Sequence, residues 1–69
     1  MRYGYRCEEC EVAVFPVTTR SELVWLRNRI HVVREVAAHM SGGLDGWMAE
    51  GLAFLEEHDG HSVILVMRR

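Results

Sequence analysis

Apolar residues follow three different rhythms along this chain, and each rhythm marks an element. Between Arg2 and Cys7 tyrosines stand at alternate positions, Tyr3 and Tyr5, and Val12-Ala13-Val14-Phe15 with Val17 is a second run of strand-forming residues. The pair predicts a β-hairpin whose tip carries Cys7 to Cys10. Pro16 has no N–H to give to a ladder, so it belongs at the end of the second strand or on a sheet edge.

Beyond the hairpin the period lengthens. Leu23, Leu26, Ile30, Val33, Ala37 and Met40 are separated by three or four positions and draw one seam down a helix. Thr19 followed by Glu22 is a capping-box pattern, which starts this helix at about Arg20. Gly42 and Gly43 end it, Gly42 being suited to a left-handed conformation after the last turn. Such a helix is about 30 Å long, close to the diameter expected of the whole chain. A second apolar set, Trp25, Val32 and Val36, lies round from the first. It predicts a helix sandwiched between two layers of its own protein, with a partner surface as the alternative.

Another helix follows Asp45, a suitable N-cap, and turns Trp47, Met48, Gly51, Leu52 and Leu55 to one side. Gly51 weakens that helix and marks a close approach to the first. Glu56 and Glu57 sit badly at its C-terminal end, where a cation bound just beyond them would reverse the penalty. The last rhythm is none at all: Val63-Ile64-Leu65-Val66-Met67 is continuously apolar, which predicts a third strand buried on both faces and paired with the hairpin. Arg68 and Arg69 read as a solvated tail. The order is ββααβ, an α+β fold forming a single domain over residues 1–69.

Size makes that domain a marginal one. A chain of 69 residues buries only about 60% of its unfolded surface, and small cores need a staple. A disulfide between Cys7 and Cys10 closes too short a loop to serve. A metal ion is the better candidate, because Cys7 and Cys10 near the start and His58 and His61 near the end supply two thiols and two imidazoles, the set a tetrahedral structural zinc site uses. Single domain and zinc site are therefore one expectation: Zn²⁺ pins the ends of the chain together. Gly60 turns the chain so that the two histidine rings lie side by side. His39 is the alternative ligand if the first helix ends near the knuckle. His31, eight positions from His39, shares no helical turn with it.

Other chemistries are weaker. A redox C-x-x-C wants a helix N-terminus or a cation to lower a thiol pKa, whereas Glu8, Glu9 and Glu11 surround these cysteines and raise it. A site with four protein ligands keeps no open position for water, and no nucleophile array or phosphate loop is present, so no enzyme is expected. Net charge is −2, so a bulk basic field for nucleic acid is lacking. Arg20, Arg27, His31 and Arg34 do line one helix face and give a DNA-binding regulator as an alternative. All eight basic residues are arginine, as a GC-rich genome would favour. No signal-peptide core or membrane-length apolar run is visible, which together with free thiols predicts a cytoplasmic protein without a membrane partner.

At Cys7-x-x-Cys10 and at Phe54-Leu55-Glu56-Glu57-His58-Asp59-Gly60-His61-Ser62-Val63 the chain resembles the small prokaryotic and phage zinc-finger-like proteins. In those a cysteine knuckle on a hairpin is closed by histidines after a helix. The resemblance implies a structural zinc and a prokaryotic or phage source. Glu11 departs from it, since such knuckles often carry glycine there. The expected function is a zinc-stabilised interaction or regulatory module that binds a protein partner, with a homodimer through the long helix near Trp25, or a metal-free αβ homodimer, as further alternatives.

Overall fold

The chain runs β1 (Arg2–Cys7), β2 (Val12–Val17), α1 (Arg20–Asn28), α2 (Ile30–His39), α3 (Gly46–Glu57) and β3 (Val63–Arg68). The computed structural model describes residues 1–39 and 43–69, so the seam position at Met40 and the left-handed turn expected at Gly42 lie outside the described residues. The three strands form one antiparallel sheet in the order β2-β1-β3. This is the α+β architecture that the periodicity predicts, with the third strand laid beside the hairpin.

β1 is the central strand because both partners pair with it along its length. β3 matches it without interruption from Arg2↔Arg68 to Cys7↔Val63. β2 is less regular, its register shifting between Tyr3↔Val17 and Tyr5↔Val14, so that one extra residue is accommodated opposite Gly4. Only glycine fits there: a Cβ on Gly4 would lie 1.6 Å from the Val14 carbonyl oxygen. Pro16 falls in this bulged part of an edge strand, where no ladder bond is lost.

The long helix expected from Arg20 onwards is two helices instead. Arg29 takes φ −118° and ψ 19°, and its N–H is shared between the carbonyls of Trp25 and Leu26 at 3.1 Å each, a bifurcation usual at helix ends. Asn28, a poor helix former, precedes the break. Leu23 and Leu26 before the break and Val33 and Ala37 after it all stay on the core, so the apolar seam carries on across it. Arg34 Nε then meets Glu56 Oε1 at 3.1 Å, joining α2 to α3.

Two further expectations are corrected by the thinness of the molecule. Its 17 Å dimension holds one sheet and one layer of helices, so no second layer among the described residues covers the second apolar set, and Trp25, Val32 and Val36 remain 46%, 41% and 40% exposed. β3 likewise has one covered face: Val63 is buried, while Ile64 on the opposite face is exposed. The capping box is not made either. Thr19 does precede α1, but its hydroxyl donates to the Glu22 carboxylate rather than capping a backbone N–H. Asp45 precedes α3 without a side-chain cap of its own.

The core lies between the helices and one face of the sheet, and holds Tyr5, Cys7, Val17, Leu23, Leu26, Val33, Leu52, Phe54, Leu55 and Val63. Tyr5 is wholly buried and donates its hydroxyl to the Leu23 carbonyl. Burial pushes that phenol up to about 12, against a smaller opposing pull from Arg27. Gly51 marks the close approach expected of it, since a Cβ there would come within 2.6 Å of Leu26 Cδ2. No helix among the described residues is long and apolar enough to cross a membrane.

Candidate metal centre

Hydrogen bonds from two distant stretches build the site. The hairpin turn after β1 is closed by the Glu11 N–H donating to the Cys7 carbonyl at 2.9 Å. Glu11 holds φ 56°, the left-handed conformation that glycine adopts without steric cost. The knuckle therefore takes a left-handed turn at this position without a glycine. On the other side α3 ends at Glu57, with the His58 N–H donating to the Phe54 carbonyl and the His61 N–H to the His58 carbonyl. Gly60, at φ 82°, makes the turn expected of it. The Glu8 N–H then donates to the Ser62 carbonyl at 2.9 Å and ties the two stretches together.

This juxtaposition brings Cys7, Cys10, His58 and His61 into one cluster, their donor atoms all within 4.8 Å of one another. His61 Nδ1 lies 3.5 Å from Cys7 Sγ and 3.6 Å from Cys10 Sγ. A tetrahedral zinc with bonds of about 2.3 Å to sulfur and about 2.0 Å to nitrogen separates those atoms by about 3.5 Å, so the spacing suits the ion. His58 is buried, and its Nδ1 has no hydrogen-bond partner among the described residues. An unsatisfied buried polar atom costs about 1–3 kcal/mol, a penalty that coordination removes. The residues present fit a Cys₂His₂ ion.

The thiols differ in acidity. Burial works against the Cys7 thiolate, yet the backbone N–H groups of Cys10 and Glu9 and the His61 side chain outweigh it and lower the pKa. Cys10 is raised, first by its interaction with the Cys7 thiol, then by burial and by the negative charges of Cys7, Glu9 and Glu57. The expectation that Glu8, Glu9 and Glu11 raise both thiols thus holds only in part: Cys7 is lowered, and at Cys10 the Cys7 thiol leads, with Glu9 a lesser contributor. Turn amides decide the matter at Cys7, and amides carry no sequence signal.

Sequence reasoning also missed the supporting residues. Glu9 accepts from the Ser62 N–H at 3.2 Å and stands 3.8 Å from His61 Nδ1, bracing the histidine loop from the knuckle side. Phe54 packs its ring 4.4 Å from that of His58, and the His58 and His61 rings are 5.6 Å apart. Phe54 stands one turn before His58, a spacing that could have announced the contact. His31 and His39 are exposed and lie outside the cluster, so the alternative of His39 as a ligand is not the arrangement formed.

Away from the donors, Trp25, Trp47 and Met48 line an open depression of about 350 Å³ with Ser21 and Glu22 at its rim. The helical arginine stripe is not a continuous free surface, because Arg34 is engaged by Glu56. No family model, curated protein or solved structure matches this chain.

Proposed function

We propose that the protein is a zinc-stapled interaction module: Cys7, Cys10, His58 and His61 hold a structural Zn²⁺, and the fold so fixed presents apolar helix surface to a protein partner. One observation supports this above the rest, the four donors gathered within 4.8 Å from opposite ends of the chain. Metal would join the knuckle to the end of α3, where a cation also meets the negative pole of the helix for about 0.3–1 kcal/mol. The coordination itself is the larger effect, about 10–16 kcal/mol in finger peptides near neutral pH. Four protein ligands make the ion structural rather than catalytic, and reduced thiols suit a cytoplasmic setting.

The partner surface in this reading is the depression at Trp25, Trp47 and Met48, where Trp25 is left exposed. Tryptophan and methionine are the residue types that anchor protein contacts. Native mass spectrometry of untagged protein tests the proposal, with one zinc per chain and a monomeric mass expected. A metal-free chain that keeps its cooperative unfolding transition overturns the zinc reading. A dimer that dissociates on Trp25→Ala assigns the surface to a second copy instead.

A further inference from the structure

Strand register sorts the sheet into two chemically opposite faces. Tyr5 and Cys7 of β1 are fully buried beneath the helices, so Arg2, Gly4 and Arg6 turn the other way. On β3 the residues paired with them are Arg68, Val66 and Ile64. The bulge of β2 rests on the bare backbone of Gly4 and carries Phe15 onto this same face. There the Arg68 guanidinium lies 4.6 Å from the centre of the Phe15 ring, and Arg2 Nε donates to the Phe15 carbonyl at 2.8 Å.

Three features make this face unlike an ordinary solvated one. Arg2 and Arg68 are directly opposite each other in the ladder, a like-charge pairing that destabilises a sheet unless an anion lies over it. None of Arg2, Arg6 and Arg68 forms an ion pair among the described residues. The charge is also segregated: three of the eight arginines share this face with no carboxylate at an outward strand position, while the other five are distributed with all ten Asp and Glu. Local charge therefore opposes the net charge of −2.

We propose that the helix-free face of the sheet, built on Arg2, Arg6, Phe15 and Arg68, binds single-stranded nucleic acid. Guanidinium groups take the phosphates, and the Phe15–Arg68 stack with exposed Ile64 supports unpaired bases, the combination of cationic track and stacking platform that single strands require. Arg2 and Arg6 stand about 13 Å apart along one strand, a span of a few nucleotides. A duplex hides its bases and has no use for the apolar part of the face. An acidic peptide would use the arginines but not the stack. This inference concerns a surface apart from the metal cluster and the tryptophan depression, and goes beyond the reading above.

The test is fluorescence anisotropy of labelled oligothymidylate and oligouridylate with the zinc-loaded full chain. With about three phosphates neutralised, the single-strand slope of about −0.7 per phosphate predicts that a tenfold rise in salt weakens binding about a hundredfold. Arg6→Gln combined with Arg68→Gln should weaken low-salt binding at least tenfold and flatten that salt dependence, with zinc content and a cooperative unfolding transition retained. Arg20→Gln, on the helix side, should leave affinity alone. Comparison of the two oligomers separates DNA from RNA as the source of the strand. Absence of binding at low salt overturns the proposal, as does an affinity indifferent to the double substitution. Equal binding of a duplex, or equal competition by polyglutamate, overturns it in favour of a general polyanion surface.

Discussion

Regular structure is interrupted at the Cys7–Cys10 knuckle and again at Arg29, for different reasons. At the knuckle the interruption is secured from far away: Ser62 accepts from Glu8, Glu9 accepts from Ser62, and His61 lies against both sulfurs. At Arg29 the helix breaks over one residue, with its own carbonyls sharing an N–H and Asn28, a poor helix former, just before it, so the interruption is local. The knuckle is a place where distant chain is recruited by chemistry. The joint is a place where a continuous apolar pattern runs on across a local break.

The sharpest way to break this comparison is to remove one donor. Cys10 is exposed, so Cys10→Ser forfeits almost no packing, and a metal-free fold would lose under about 0.5 kcal/mol. With zinc as the staple, loss of one ligand should abolish the cooperative thermal transition followed by circular dichroism, and a chelator should do the same to the parent chain. A smaller but still large effect is expected at the bulge. Gly4→Ala drives a Cβ into the Val14 carbonyl, and because the obstacle is backbone rather than a yielding side chain, the cost should exceed about 2 kcal/mol by denaturant titration.

These two positions also mark what the sequence disclosed and what it withheld. Cys7, Cys10, His58 and His61 were legible because ligand chemistry uses few residue types, and their side-chain identity alone implies proximity across the whole chain. The seam of Leu23, Leu26, Ile30, Val33 and Ala37 was legible because periodicity reports which face is apolar. Periodicity does not report continuity, since a one-residue break at Arg29 leaves the three-and-four spacing nearly intact, and the split helix went unseen. Nor does it report how many layers a small body can hold. Ile64 and Trp25 read as buried because apolar residues were assumed to be covered, whereas a chain this short has only one helical layer to offer. Gly4 gave no sign of its role, which depends on the register of another strand.

Tyr5 sharpens the comparison from inside the core, since it joins the central strand to α1 before the joint. Tyr5→Phe should lose about 1–2 kcal/mol, the buried hydroxyl's bond to the Leu23 carbonyl being removed. Its pH dependence has a definite sign. The folded phenol ionises near 12 and the unfolded one at the ordinary 10.0, so the contribution is complete below pH 10 and is lost as pH rises from there towards 12. Melting temperatures of the parent should fall over that window more steeply than those of Tyr5→Phe.

The smallest expected effect is a gain, and it sits in the knuckle itself. Glu11 is held at φ 56°, where a Cβ costs about 1–2 kcal/mol and glycine none, while glycine gives back part of that through its freer unfolded chain. Glu11→Gly should therefore raise stability by about 0.5–1 kcal/mol with zinc content unchanged, measured by denaturant titration of the loaded protein. The substitution also removes a carboxylate from the exposed tip, so repeating it as Glu11→Gln separates charge from conformation: the amide keeps the Cβ and should gain nothing. If glutamine stabilises as much as glycine, the knuckle is limited by charge around the thiols, and the backbone shape is set by the distant segment alone. If only glycine does, local strain at the turn is tolerated because the contacts from Ser62 and His61 hold it in place, which is the asymmetry between knuckle and joint expressed as a free energy.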